Sequence, residues 1–217
     1  MGNQVDMTLC NVCDYEGKFL SYGKNPRHNA LCPNCKSLER HRFLFYLLQP
    51  EILEKKKVLY VSPPASIFNF MDKKENIEFF PIDIDPNYPY IKYVSDITRL
   101  PFNDCFFDIV VCFNALKYVK NDDSALAELS RVLKKNGILY MRAPTEPITK
   151  STKISPEEKQ KRYVPGLIYR SYGLDLINKL ILLGFLTDVQ KSDQLDSVLI
   201  ERHGLSKEDS VIIAKKQ

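Results

Sequence analysis

No apolar run in this 217-residue chain approaches the ~20 residues a membrane-spanning helix needs. The longest, FLFYLL (43–48) and LILLGFL (180–186), are far shorter. The first ten residues, MGNQVDMTLC, lack the charged head and apolar stretch of a signal peptide. Asp6 stands where a myristoylated Gly2 would require Ser or Thr. A cytoplasmic chain is therefore expected. No G-x-G-x-x-G follows the first predicted strand, which argues against a nicotinamide-dependent dehydrogenase. Charge of one sign is not in large excess: the formal net charge is +4 and the pI about 8.6. A dedicated nucleic-acid domain is usually more basic. Residues 1–57 do hold nine Lys/Arg against six Asp/Glu, which permits an anionic partner without requiring one. No internal repeat is visible. With 44% hydrophobic residues, the chain can bury the core of one ordinary domain plus a small appendage.

Cysteine is what the N-terminus does have. Cys10-Asn11-Val12-Cys13 and Cys32-Pro33-Asn34-Cys35 are two C-x-x-C pairs separated by eighteen residues. Each pair sits on a tight turn that aims two thiolates at one point, and two such turns complete a tetrahedral S4 shell. A shell of four protein ligands has no open position, so a structural zinc ion is expected. Two disulfides are the alternative, disfavoured in a reducing compartment. His28 and His41 flank the second pair and are read as solvent-facing, because four cysteines already fill the shell. Cys105 and Cys112 stand apart, and Cys112, inside an apolar run, reads as an inert buried thiol.

A helix stripe follows the ribbon, with Leu38, Leu44, Phe45, Leu47 and Leu48 on its apolar side. Strands and helices then alternate. Strands are predicted at 57–61, 77–83, 91–94, 107–113 and 137–143, with two more at 185–190 and 209–215 that no clear helix separates. Helices are predicted at 65–72, 122–135 and 172–185. Asp122 and Asp123 open the second of these and Lys134 and Lys135 close it, which suits the helix dipole. The alternation implies a doubly wound, Rossmann-like, mostly parallel sheet whose last strand runs antiparallel. The domains expected are a ribbon over 1–36 and an α/β domain over 37–217. The Pro- and Lys-rich stretch 144–171 interrupts the wind and reads as a functional loop.

Several segments taken in order carry a family resemblance. Asp96–Val119 reads DITRLPFNDCFFDIVVCFNALKYV and is followed by ALAELSRVLKKNG (125–137). CPNCKSLERHR (32–42), VLYVSPP (58–64) and ERHGLSK (201–207) complete the set. The chain resembles the class I S-adenosylmethionine-dependent methyltransferases, and within them a bacterial group with an N-terminal zinc ribbon. The resemblance spans nearly the whole chain.

The resemblance implies S-adenosylmethionine as cofactor, bound where the strand order reverses. Carried over by position, Val61, Ser62 and Pro63 form the first loop. Asp83, followed by Ile84, takes the two ribose hydroxyls, with Asp85 as an alternative. Asp96 and Ile97 meet adenine, while Asn114, Ala115 and Leu116 stand beside the methionine part. Tyr118 is placed to offer its ring to the sulfonium or its hydroxyl to the acceptor. Arg170 with Tyr172, and Arg40 with Arg42, are candidates for holding an anionic acceptor. The acceptor implied is a small molecule, a sugar or another polar metabolite. The alternatives are RNA, contacted by Tyr15, Phe19 and Tyr22, or a non-catalytic scaffold on the same fold. Two segments depart from the family pattern. The first loop, Ser62-Pro63-Pro64-Ala65, has no glycine, and the stretch Tyr163–Arg170 has Leu167 and Ile168 where the group carries Asp and His.

Overall fold

The computed structural model describes residues 7–142, 153–154 and 168–217. Two compact units are present, one drawn from residues 1–55, 64–77 and 191–209, the other from 56–63, 78–190 and 210–217.

The first unit begins with two short antiparallel hairpins. β1 (Thr8–Leu9) pairs with β2 (Glu16–Gly17), and β3 (Leu20–Tyr22) with β4 (Arg27–Leu31). Helix α1 (Glu39–Leu48) follows where the apolar stripe predicts it, and α2 (Ala65–Met71) packs on it through an edge-to-face contact of Phe45 with Phe70 at 4.6 Å. Arg42 is the hub. It is fully buried, contrary to the expectation that it faces an acceptor. Its guanidinium donates to the carbonyls of Ser37 (2.8 Å), His203 (2.8 Å), Gly204 (2.6 Å), Ala30 (3.1 Å) and Asn29 (3.4 Å), and it stacks 4.7 Å from the centre of the Phe19 ring. A guanidinium tolerates burial only when its donors are met in this way. Gly204 adopts a left-handed φ of +55°, and a Cβ there would lie 3.1 Å from the Asn29 carbonyl and 2.9 Å from the Thr8 methyl. His41, expected in solvent, is also buried and accepts the Leu38 N–H at 3.3 Å, closing the first turn of α1. Glu39 receives Arg27 through two bonds, at 2.8 and 3.2 Å. The segment SLERHR thus fastens its own unit together.

The second unit is built on a seven-stranded sheet. Its strands are β5 (Lys56–Val61), β6 (Ile77–Asp83), β7 (Tyr93–Val94), β8 (Phe107–Cys112), β9 (Leu133–Arg142), β12 (Phe185–Lys191) and β13 (Ser210–Lys216). They lie in the order β12-β13-β9-β8-β5-β6-β7. β5 and β9 each run parallel to β8, β7 runs parallel to β6, and β13 is antiparallel to β9, as expected for the last strand. Val58, Leu59, Tyr60 and Val61 are all buried, as a sheet covered on both faces requires. Helices α3 (Asp122–Val132) and α4 (Asp175–Leu182) contribute Leu126, Leu129, Leu176 and Leu180 to one core with Leu59, Val110 and Leu139. β10 (Lys153–Ile154) and β11 (Arg170–Ser171) form a small antiparallel pair. The rest of the interrupting stretch up to 167, with Tyr163–Leu167, lies outside the described residues. No helix among the described residues is long and apolar enough to cross a membrane.

Several expected boundaries shift, among them the 172–185 helix, which runs from Asp175 to Leu182. The second predicted helix ends at Val132 rather than 135, because the N–H groups of Cys105 and Phe106 take the carbonyls of Arg131 and Val132 and draw the chain into β9. Lys134, expected in the last helical turn, instead pairs with Asp108 at 2.7 Å. The strand expected at 91–94 keeps only its last two residues. Between the last two strands, where no helix was expected, lies α5 (Ser197–Arg202), capped by the Asp196 carboxylate on the Val198 N–H.

The motif residues of this unit brace a loop. Glu128 accepts the Leu100 N–H at 2.7 Å and pairs with Arg131 at 2.7 Å. Arg131 donates onward to the carbonyls of Leu100 (3.0 Å) and Phe102 (2.8 Å) and to Asp104 (2.7 Å). The Arg131 guanidinium, helped by the Leu100 N–H, holds the Glu128 carboxyl below its ordinary value against the cost of burial. A depressed carboxylate stabilises the fold above its unfolded pKa and loses that contribution as pH falls through the folded value. Denaturant midpoints measured between pH 7 and pH 3 therefore fall more steeply for the wild type than for Glu128→Gln; parallel curves would contradict the brace. In the first unit, Arg42→Ala is expected to cost on the order of 3 kcal/mol by chemical denaturation, against less than about 0.5 kcal/mol for the exposed Lys18→Ala.

Candidate cofactor site and cysteine cluster

The two cysteine turns repeat one geometry. In each, the residue after the second cysteine, Asp14 (φ +56°) or Lys36 (φ +62°), turns left-handed and donates its N–H to the carbonyl of the first cysteine, at 2.9 and 3.0 Å. The four sulfurs lie within 4.8 Å of one another, with Cys10–Cys35 at 3.6 Å and Cys13–Cys32 at 3.7 Å, and none is in a disulfide. A tetrahedron with metal–sulfur bonds of about 2.3 Å has edges of about 3.8 Å, so this arrangement fits a zinc ion. The Cys35 thiol, then the Ser37 hydroxyl and the N–H groups of Val12 and Cys13, hold the Cys10 thiol down to about 4 against the cost of burial. Cys112 lies elsewhere, buried, its thiol pushed up to about 12 by desolvation.

At the carboxyl ends of the central strands a cavity of about 560 Å³ opens. It falls where the order reverses between β5 and β8, the position at which open α/β sheets bind ligands. Val61 and Ser62 after β5, Asp83 and Ile84 after β6, Asp96 and Ile97 after β7, and Asn114 after β8 all line it. These are seven of the nine expected cofactor residues. Pro63 and Leu116 are buried and do not line it. Tyr118 does, with 38% of its surface exposed. Asp85, the alternative acid, lines it as well.

The glycine-free first loop achieves its turn without glycine. Ser62 has φ +55°, a left-handed backbone that costs an L-residue about 1–2 kcal/mol. Its N–H donates to the Ile82 carbonyl at 2.8 Å and its hydroxyl to Asp83 Oδ2 at 2.5 Å. Asp83 Oδ1 accepts the Asp85 N–H at 2.9 Å. The Tyr88 hydroxyl, half-buried, donates to the Pro63 carbonyl at 2.7 Å, tying the loop after β6 to the loop after β5. Asp96 uses one oxygen, Oδ1, for the N–H and hydroxyl of Thr98, at 2.8 and 2.9 Å. Each carboxylate therefore keeps acceptor capacity. A cavity of this volume, with two such acceptors in a lining whose surface is mostly apolar, fits a nucleoside-bearing cofactor.

Arg170 does not line the cavity. It is buried, forms an ion pair with Asp122, and donates to the Lys120 carbonyl at 2.8 Å. Tyr172 and Lys179 reach the same carboxylate, at 3.1 and 3.0 Å. The pair expected to hold an acceptor thus anchors the back of the loop 116–121, whose front carries Tyr118, Lys120 and Asn121 into the cavity. Sequence reasoning missed Ser95, Thr98, Val119, Lys120 and Asn121. Ser95 and Thr98 flank expected site residues, which is the one signal that pointed to them. Of the three aromatics considered for RNA, Phe19 is buried under Arg42, Tyr15 is half-buried and Tyr22 alone is exposed.

Comparison with known proteins agrees with this geometry. Residues 71–141 match the model of a family described as a methyltransferase domain. No curated protein matches the sequence. Among solved structures, an S-adenosylmethionine-dependent methyltransferase from Aquifex aeolicus is similar at 16% identity and TM-score 0.54, covering 79% of this chain and 89% of its own. YcgJ from Bacillus subtilis gives 14% and 0.53, covering 82% and 99%. The cyclase SpnF gives 16% and 0.55, covering 91% and 86%. At these identities the structures speak for the fold, and the family match speaks for the domain. Residues 71–141 thus match a methyltransferase-domain model, within an α/β fold shared with solved S-adenosylmethionine-dependent methyltransferases and preceded in sequence by a four-cysteine cluster.

Proposed function

We propose that the protein transfers a methyl group from S-adenosylmethionine to a small, polar acceptor, a sugar or another metabolite, and that its ribbon holds one structural zinc ion. The observation that carries the reading is the cavity at the sheet's switch point, where Asp83, Asp96 and Asn114 converge from three successive strand ends. The bound cofactor would supply an electrophilic methyl on a sulfonium. Asp83 would accept from the ribose hydroxyls, and Asp96 from the adenine amine through the oxygen opposite the one that Thr98 uses. Tyr118 lines the same cavity, and its ring already carries the Lys117 ammonium at 5.0 Å. Transfer from a sulfonium is an in-line displacement, so orientation contributes most, on the order of 7–11 kcal/mol, and a base is needed only when the acceptor must lose a proton early. The polar acceptor is favoured by Lys120 and Asn121 on the cavity wall, while none of the three arginines considered for an anionic one, Arg40, Arg42 and Arg170, lines it. The zinc ion fills its shell with Cys10, Cys13, Cys32 and Cys35 and so acts on folding rather than chemistry.

Calorimetry with S-adenosylmethionine and S-adenosylhomocysteine tests the cofactor. Both are expected to bind, and Asp83→Ala is expected to weaken them about 10- to 100-fold, the loss of charge-assisted hydrogen bonds. Absence of binding at millimolar ligand would overturn the reading, and unchanged affinity in Asp83→Ala would overturn the placement of the ribose. Binding without turnover across a panel of small acceptors and RNA would favour the scaffold. For the ribbon, metal analysis of the purified chain is expected to return one zinc per chain. Chelation is expected to lower the melting temperature, and a metal-free preparation of undiminished stability would refute the structural role.

A further inference from the structure

The first loop offers the cavity no free backbone donor over residues 62–64. The Ser62 N–H is committed to the Ile82 carbonyl, and Pro63 and Pro64 have none. A glycine-rich loop recognises its ligand through such donors, so recognition here has to rest more heavily on side chains. Ser62 supplies the link. A glycine would reach φ +55° without strain, yet this chain places there a residue with a hydroxyl, and the hydroxyl is aimed at Asp83 Oδ2 at 2.5 Å. With the Asp85 N–H on Oδ1, each oxygen of Asp83 receives one hydrogen bond from its own protein. That fixes the plane of the carboxylate and leaves one acceptor site on each oxygen. Two adjacent hydroxyls of a ribose present two donors, and a carboxylate already locked in plane meets both without first giving up rotational freedom. The Tyr88 hydroxyl on the Pro63 carbonyl keeps the loop from drifting away from the acid.

From this geometry we infer that Ser62 is a positioning residue for the cofactor diol, acting through Asp83 rather than by contact with the ligand. The inference rests on the cofactor reading above. Its test is calorimetry of the full chain with two probes, S-adenosylhomocysteine and its 2′,3′-dideoxyribose analogue. Ser62→Gly reaches the left-handed backbone without strain and removes the hydroxymethyl group. It is expected to weaken S-adenosylhomocysteine about five- to tenfold and to leave the dideoxy analogue within twofold of wild type. Ser62→Ala keeps the backbone strain and loses the same hydroxyl, so it should match Ser62→Gly in this discrimination while melting at a lower temperature. Equal losses for both probes would mean a general collapse of the loop and would overturn the positioning role, as would unchanged affinity of Ser62→Gly for S-adenosylhomocysteine. A wild type that binds neither probe would instead overturn the cofactor reading on which the inference depends.

Discussion

The cleft at the strand ends depends on a carboxylate held still at the end of β6. Asp83 is fastened by a serine just past the end of the strand beside it and by the backbone two residues on. The serine reaches it from a left-handed turn of the chain at position 62. The surrounding elements follow from this constraint. The parallel pairing of β5 with β8 sets where the first loop leaves the sheet, the Ile82 carbonyl catches that loop on its way out, and the Tyr88–Pro63 bond closes it. A cleft assembled this way does not need the glycines that usually line it. It exchanges a flexible loop with backbone donors for a stiff one whose recognition groups are side chains.

The loop on the far wall is built by the same logic with different residues. Tyr118, Lys120 and Asn121 face the cavity, while behind them Asp122 sits buried among Arg170, Tyr172 and Lys179. A buried carboxylate with two cations and a phenol is costly to form and costly to break, so it fixes one arrangement of the loop in front of it. Arg170 therefore shapes the site without entering it. The distinction matters for chemistry: this residue delivers no cation to the cavity, and the cation on its wall is Lys120.

Much of the architecture was legible in the sequence because it is written in periodicity. Both C-x-x-C turns, the stripe of α1, the apolar strands β5 and β8 and the acids at their neighbours' ends could be read directly, and seven of the nine positions expected to meet a cofactor fall on the cavity wall. What could not be read was which partner each charge would find. Arg42 in SLERHR, Glu128 and Arg131 in AELSR, and Arg170 all look like surface charge in one dimension, whereas each proves to be satisfied by backbone or carboxylate groups remote in sequence. Burial of a charge is decided by tertiary partners, and no local pattern records them. The early end of α3 has the same origin: propensity and dipole favoured Lys134 and Lys135 in the helix, but the backbone of Cys105 and Phe106 competed for its last carbonyls.

The central claim is that an adenosine moiety lies across the strand ends with its ribose on Asp83 and its base at Asp96. A crystal structure of the chain soaked with S-adenosylhomocysteine tests it most directly. The account predicts both ribose hydroxyls within hydrogen-bond distance of the Asp83 oxygens, with the Ser62–Asp83 bond intact. A nucleoside bound elsewhere, or a ribose turned away from Asp83, would contradict it.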